Sequence, residues 1–498
     1  MPVLHKAVNV SGKVFGHTFS KEKYSLLLMK SCLLNTCIFL FPFSTSYAQQ
    51  LSEFNKVDSI VSRHMTINHI PGLALAIIKN GKIEKRGFYG TSDIESNTKV
   101  DDNTIFEIAS MTKQITCAGI LLLQEDGLLS VNDKLSKYLK DLPFTWKEMT
   151  IEQLMNHTSG LRDDWDEPTS YFLTNNSDEK MSKAQQQYPL LFEPGKGFQY
   201  SSGPFFLGLV IKEITGKHYS AFLKERIFNK LQMSKTLVYD STSLPKNIAK
   251  GYWWIKGKYD AGIDIPAAAE SRADVGLITT LDDMIKWGFA LCDNRLLNTE
   301  SLKFMFSPGR LKTGNSIPYG CGWYIYFFRN QLIYEHGGAF RTGFNSRISR
   351  FSNSKVGIII LSNKWKANLS DLTYELATVY DSHFKRVSEI KKSNSVSQKR
   401  DSEIRALLFD LSIEKFNSGQ LYQHVNISGY DPDELKELLK GFKEVECIGI
   451  KNYTSKPLEL YGSKVTEVLY YKISADNTTY WSFAYDDKGK LVIVNLED

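Results

Sequence analysis

Leu73 to Ile78 is an unbroken run of six apolar residues, and Asn80-Gly81 follows one residue later. The run reads as a strand, and Asn-Gly supplies the positive φ angles that a two-residue hairpin turn demands. Ile83 to Tyr89 is then the returning strand. Ahead of the hairpin, Leu51 to Asn68 carries Phe54, Val57, Ile60, Val61 and Met65 near helical spacing, and Pro71-Gly72 breaks that helix. A helix followed by a hairpin packs naturally on an antiparallel sheet, which points to an α+β fold.

The chain has 498 residues, enough for more than one domain, with 42% hydrophobic and 23% charged residues, as in ordinary globular proteins. Residues 1–48 hold five lysines against one glutamate, so most of the net charge of +6 lies there and the remainder is nearly balanced. No basic stripe argues for nucleic acid. The same 48 residues read as a secretory leader: Lys21, Lys23 and Lys30, then Leu33 to Phe41, then Ser46-Tyr47-Ala48 before Gln49. Met29 is a candidate true start. The protein is therefore expected to be exported, periplasmic or secreted, and to meet a membrane only through an uncleaved leader. Cys117, Cys292, Cys321 and Cys447 remain after the leader and show no metal or disulfide spacing. No metal or cofactor is expected, and the oligomeric state is left open.

Further along, Thr150 with Gln153 forms a capping box ahead of His157-Thr158-Ser159-Gly160-Leu161. A polar, irregular stretch covers residues 162–190. Helices are expected over Pro204 to Thr215, Tyr219 to Leu231 and Asn368 to Phe384, and another with Thr280 as its N-cap. Strands are expected over Tyr319 to Phe328, Gln331 to Glu335, Asn345 to Arg350 and Val356 to Leu361. A polar linker, residues 386–401, then leads to a small α+β domain over residues 402–498. That domain is expected to have helices around Ile404 to Leu411 and Asp431 to Phe442, then four strands from Val445 onward.

Phe106 to Gly127 reads as an apolar lead-in and a helix with Ser110 in its first turn. Lys113, three residues on, shares its face. A serine hydroxyl is a weak nucleophile until a neighbour takes its proton, and an amine one turn away is placed to do so. The spacing alone is unspecific, because Ser-x-x-Lys recurs at eight other serines in this chain. Specificity comes from order: Ser110-Met111-Thr112-Lys113, then Tyr200-Ser201-Ser202, then His336-Gly337-Gly338.

With those islands, residues 52–385 resemble the serine β-lactamase and penicillin-recognising superfamily. The likeness is greatest to the branch of class C β-lactamases, D-alanyl-D-alanine carboxypeptidases, D-aminopeptidases and related esterases. Supporting features are His157 to Leu161, Glu193-Pro194-Gly195 and Gly276 to Thr280. The resemblance implies a β-lactamase-like fold: a helical subdomain beside an antiparallel sheet, within residues 49–385. It implies an enzyme in which Ser110 is acylated, Lys113 relays its proton and Tyr200 is the general base, made acidic enough by Lys113. His336, Gly337 and Gly338 would line the site, and the backbone N–H groups of Ser110 and Ala339 would form the oxyanion hole. Ser202 stands where the family usually has Asn, and His336 where β-lactamases and carboxypeptidases usually have Lys. Both changes favour a peptidase or esterase on D-amino-acid peptides or esters over a true β-lactamase, with a non-catalytic binding protein as a further alternative. Arg341 is a candidate charge for a substrate carboxylate. His157 reads as structural, and Tyr252, Trp253 and Trp254 as cleft or core.

Overall fold

The computed structural model describes residues 41–163, 177–239, 244–262, 272–329, 331–381, 384, 387, 396–413, 426–428, 438–440, 443–455, 458–460, 463–476 and 478–497. Most of the leader, the middle of the 162–190 stretch, most of the linker and most of the Asp431 to Phe442 helix fall outside them.

A helix runs Phe41–Ile67 and ends at the Pro71-Gly72 break. Strands β1 (Gly72–Lys79), β2 (Lys82–Asp93) and β3 (Thr98–Lys99) follow. The β1–β2 turn holds Asn80 at φ 50° and Gly81 at φ 75°, the positive angles expected of Asn-Gly. Short strands β4 (Phe106–Glu107), β5 (Leu237–Val238) and β8 (Leu277–Thr279) make a three-stranded sheet in the order β4-β8-β5, and β6 (Tyr252–Ile255) pairs with β7 (Lys258–Ala261). Next come β9 (Tyr324–Phe328), β10 (Gln331–Phe340), β11 (Phe344–Phe351) and β12 (Val356–Ser362). The main sheet is antiparallel, in the order β3-β2-β1-β12-β11-β10-β9, with Leu73 opposite Ser362 and Lys79 opposite Val356.

Packing explains the unbroken apolar run in β1. Ala74, Ala76, Ile359 and Leu361 join Met284 and Trp287 of the Leu281–Ala290 helix on one face. Leu73, Leu75, Ile358 and Ile360 join Val57, Val61, Leu372 and Leu376 on the other. A strand covered on both faces needs no polar alternation, and each fully buried aliphatic side chain contributes about 1.5–3 kcal/mol. Beside the sheet lies a helical region whose centre is the Thr112–Glu125 helix, packed against Gly203–Thr215. Thr150 forms its capping box with Gln153, Thr280 accepts from the Asp283 N–H, and Gly216 closes its helix at φ 68°.

Several boundaries differ from the sequence reading. Tyr219 to Leu231 is divided: an α-turn over Tyr219–Leu223, a wide π-turn over Lys224–Phe228 and a last turn to Leu231. Strand β9 starts at Tyr324 rather than Tyr319, and β10 continues five residues past Glu335. The Gln398–Ser412 helix begins inside the polar run read as a linker, with Ser397 as its N-cap.

The C-terminal region adds β13 (Asn426–Ser428), β14 (Glu444–Asn452), β15 (Leu458–Leu460), β16 (Ser463–Ser474), β17 (Thr478–Asp486) and β18 (Leu491–Leu496). Their order is β13-β18-β17-β16-β14, β15 pairs with β16, and β13 lies parallel to β18. One set of side chains, including Leu469, Tyr471, Phe483 and Val494, packs with Ile404 and Leu408 of the Gln398–Ser412 helix. A second set, including Val468, Tyr470, Ala484 and Ile493, is continuous with the main core.

Candidate active site

Ser110 sits in a single 3-10 turn, Ala109–Met111, between β4 and the Thr112–Glu125 helix, not within the α-helix itself. Ala109 has φ 45°, an angle that costs a residue with a Cβ about 1–2 kcal/mol. Neighbours hold the turn in place: Ser346 Oγ donates to the Ile108 carbonyl at 2.8 Å, and Ile108 N–H donates to Leu277 O at 3.0 Å. Lys113 is buried and donates to Ser110 Oγ at 3.1 Å and to the Asp274 carbonyl at 3.1 Å. Its Nζ also lies 3.8 Å from Asp274 Oδ2. Asp274 in turn accepts from Arg272 Nε and Nη2, each at 2.9 Å, and neither side chain reaches solvent. Lys113, Asp274 and Arg272 thus form a buried chain of charges behind the serine. Sequence reasoning missed Arg272 and Asp274. The only clue was that Asp274 adjoins Gly276 to Thr280, because some 160 residues separate them from Lys113.

Tyr200 faces Ser110 and Lys113, and the Lys113 Nζ stands 5.0 Å above its ring. Its hydroxyl is buried and meets no partner at strict hydrogen-bond geometry, although the adjacent Ser110 hydroxyl favours its ionised form. Burial dominates, reinforced by the negative charges of Asp163 and Asp274, and holds the phenol pKa well above 10. The lysine sits over the ring face, and burial opposes the acidification expected from it.

His336 lies on β10 with both ring nitrogens engaged. Nδ1 is 2.6 Å from the Gly337 carbonyl, which only accepts, so Nδ1 carries the hydrogen. Nε2 therefore accepts from the Tyr319 hydroxyl at 2.8 Å. Burial first, and then the charge of Lys113, push its pKa down to about 3. The ring is neutral, and with both nitrogens occupied it is not a ready proton donor. His157 is fully buried at φ 60°, with its ring tilted by 40° against Tyr200 and the ring centroids 4.4 Å apart. Its Nδ1 accepts from the Ser201 N–H at 3.2 Å, which fits a structural part. Ser202 Oγ donates to Asp163 Oδ1 at 3.2 Å, so the hydroxyl in the family's Asn position is tied to a carboxylate.

The glycines differ in purpose. A Cβ on Gly338 would meet the Ile108 carbonyl oxygen at 2.0 Å, so this glycine lets β10 press against the serine turn rather than against a substrate. A Cβ on Gly337 would find nothing nearer than 3.7 Å. Ser110, Asp163, Tyr200, His336, Gly337, Gly338, Ala339 and Arg341 line one cleft of about 780 Å³. Ser202 lies behind it through Asp163. Trp253 donates to the Arg341 carbonyl at 2.7 Å and stacks on Trp365, which lines the cleft, while Tyr252 is core. Cys117, Cys292, Cys321 and Cys447 are free thiols.

The beta-lactamase family model matches residues 57–379, the region that supplies Ser110, Lys113, Tyr200, Asp274 and His336. The chain belongs to the beta-lactamase family. This is a superfamily of beta-lactamase and transpeptidase-like serine hydrolases. Penicillin-binding protein 4* of Bacillus subtilis is 29% identical over 325 residues, covering 60% of this chain and 68% of that protein. Two solved structures share the fold. D-amino acid amidase from Ochrobactrum anthropi SV3 has a TM-score of 0.57 at 22% identity, covering 67% of this chain and 100% of its own. The octameric penicillin-binding protein homologue from Pyrococcus abyssi has a TM-score of 0.56 at 20% identity and covers 88% of this chain and 94% of its own. The α+β architecture is thus that of the beta-lactamase family. No helix among the described residues is long and apolar enough to cross a membrane.

Proposed function

We propose that the protein is an exported serine hydrolase that cleaves amide or ester bonds through an acyl-enzyme on Ser110. The observation that carries this reading is the Lys113 ammonium position, 3.1 Å from Ser110 Oγ, at the wall of a cleft of about 780 Å³. Ser110 Oγ attacks the carbonyl carbon as its proton passes to Lys113, which enters this step as the neutral amine after losing its own extra proton to solvent, and whose Asp274 contacts fix it in place. The backbone N–H groups of Ser110 and Ala339 receive the developing oxyanion. Tyr200, a phenol in the resting site, is suited to give a proton to the leaving group and to recover one from the water that releases the acyl group. No metal or cofactor enters this scheme.

Substrates of the D-amino-acid peptide, amide or ester type fit better than β-lactams. A lysine at position 336 would present a fixed charge to a substrate carboxylate, whereas His336 is neutral with both nitrogens bonded. Ser202 likewise offers one hydroxyl, already bonded to Asp163, in place of an amide. The residue 1–48 segment supports export, and the mature protein is expected to begin at Gln49.

The test is a screen of the mature chain with p-nitrophenyl esters, D-amino-acid amides and nitrocefin beside Ser110→Ala, together with a fluorophosphonate label. Ester or amide turnover and labelling that vanish in Ser110→Ala are expected. Absence of label on the wild-type chain, where a control enzyme is labelled, would favour a non-catalytic binding protein. Efficient nitrocefin hydrolysis would return the β-lactamase reading.

A further inference from the structure

The neighbouring tryptophans of β6 have separate duties. Trp254 stacks on His69, with ring centroids 3.8 Å apart. Trp253 instead lies parallel to Trp365, at 5.4 Å between centroids and 14° between ring planes. Trp365 is half-buried and lines the same cleft as Ser110, Tyr200 and His336. One face of its indole is covered by Trp253, so the ring shows the cleft its other face and its edge.

This aromatic plate is held from several sides. Trp365 N–H donates to the Tyr252 carbonyl at 2.9 Å, and Tyr252 N–H donates to the Asn363 carbonyl at 3.1 Å. Strand β6 is therefore pinned along the segment that carries Trp365. Trp253 Nε1 donates to the Arg341 carbonyl at 2.7 Å, which fixes the backing ring against the β10–β11 turn. Asn345 completes the frame. Its amide donates to the Gly338 carbonyl at 2.6 Å, and its oxygen accepts from the Ala367 N–H at 3.2 Å. One side chain thus links the glycine strand beside Ser110 to the backbone two residues past Trp365. The plate and the reacting centre are parts of one hydrogen-bonded frame, so a group resting on the indole is held at a set place relative to the serine.

A rigid indole favours flat partners. Stacked aromatic rings attract one another beyond the gain from buried area, whereas a saturated ring of similar size gains the area alone. We propose that Trp365 is a stacking subsite for a planar aromatic arm of the substrate, with Trp253 as the positioning residue behind it, so that preferred substrates carry an aryl group on one side of the scissile bond. The assignment of that arm rests on the hydrolase reading, but binding tests the subsite without turnover.

Two pairs of neutral esters isolate the stacking and place the ring on either side of the bond. Benzyl acetate against cyclohexylmethyl acetate puts it on the leaving side, and methyl phenylacetate against methyl cyclohexylacetate puts it on the acyl side. Each is titrated into the full-length Ser110→Ala chain by calorimetry. At least one aryl ester should bind about fivefold tighter than its cyclohexyl partner, as one stacked ring pair implies. In the same background the ratio should fall to near unity with Trp365→Leu, persist in part with Trp365→Phe, and drop without vanishing with Trp253→Leu. Equal binding in both pairs, tighter binding of the cyclohexyl esters, or an aryl preference that survives Trp365→Leu in a chain with wild-type circular dichroism would overturn the proposal. Hydrolysis of p-nitrophenyl acetate by the wild-type chain reports separately on the hydrolase reading.

Discussion

The buried histidine of β10 gives a pH signature at the level of one residue. The folded-state pKa of His336 is near 3, whereas an unfolded histidine titrates near 6.5. Between those values the unfolded chain binds the proton and the folded chain does not. Stability from this group is thus fully present above about pH 6.5 and is lost as pH falls toward 3. His157 is shifted in the same direction, first by burial. The melting temperature should therefore drop between pH 7 and pH 5, and His336→Gln should flatten that slope. An unchanged slope in the variant, measured by calorimetry, would show that His336 is protonated in the fold. Gly338 makes a second prediction. A methyl at this position collides with the Ile108 carbonyl at 2.0 Å, and backbone cannot step aside cheaply. Gly338→Ala should destabilise by about 1–3 kcal/mol and displace the serine turn, lowering kcat more than KM. Urea unfolding and steady-state kinetics read both effects. Gly337→Ala, with open space around it, should leave stability close to wild type.

Elements show how far a sequence can be read and where reading stops. The β1–β2 hairpin and the capping box at Thr150 were legible because each rests on chemistry between residues a few positions apart. Replacing the cap, Thr150→Ala, removes the acceptor for the Gln153 N–H and should cost about 1 kcal/mol, visible as a lower urea midpoint with an unchanged m-value. Ser110, Lys113, Tyr200 and His336 were legible as an ordered set; Ser110, Tyr200 and His336 line one cleft, and Lys113 is buried 3.1 Å from Ser110 Oγ. What lay hidden depends on partners distant in sequence. Asp274 and Arg272 matter only because the fold carries them to Lys113. The phenol of Tyr200 was expected to be acidified by that lysine, but the lysine approaches the ring face, and burial opposes the shift. The interrupted helix over Tyr219 to Leu231 looks continuous in periodicity, because a π-turn shifts the face without removing apolar residues.

For the whole molecule, the C-terminal region is more than an appendage on a tether. Its last strand ends at Leu496, and Glu497 beyond it is buried. Glu497 accepts from the Ser482 hydroxyl at 2.5 Å and from the Arg329 N–H at 2.9 Å, so one carboxylate ties the final sheet to the β9–β10 turn. Glu497→Ala would remove the acceptor of both of these bonds. It should destabilise the whole chain by about 2–4 kcal/mol, with a single cooperative transition in denaturant if the two parts unfold together. Two separate transitions would mean that this bond does not couple them. Because Leu496 and Glu497 also line the far end of the cleft, the same variant should alter KM for bulky substrates.

The pairing of β1 with β12 sets a schedule for making the protein. Leu73 and Ser362 are neighbours in the finished sheet but lie almost three hundred residues apart in the chain. At about 5–20 residues per second, a ribosome needs roughly 15–60 seconds to deliver β12 after β1 has emerged. Through that interval the β1–β2 hairpin presents its most apolar edge with no strand to meet it. A nascent chain of this kind has to be escorted or kept extended until its second half arrives. An amino-terminal half made on its own would therefore be expected to aggregate rather than fold.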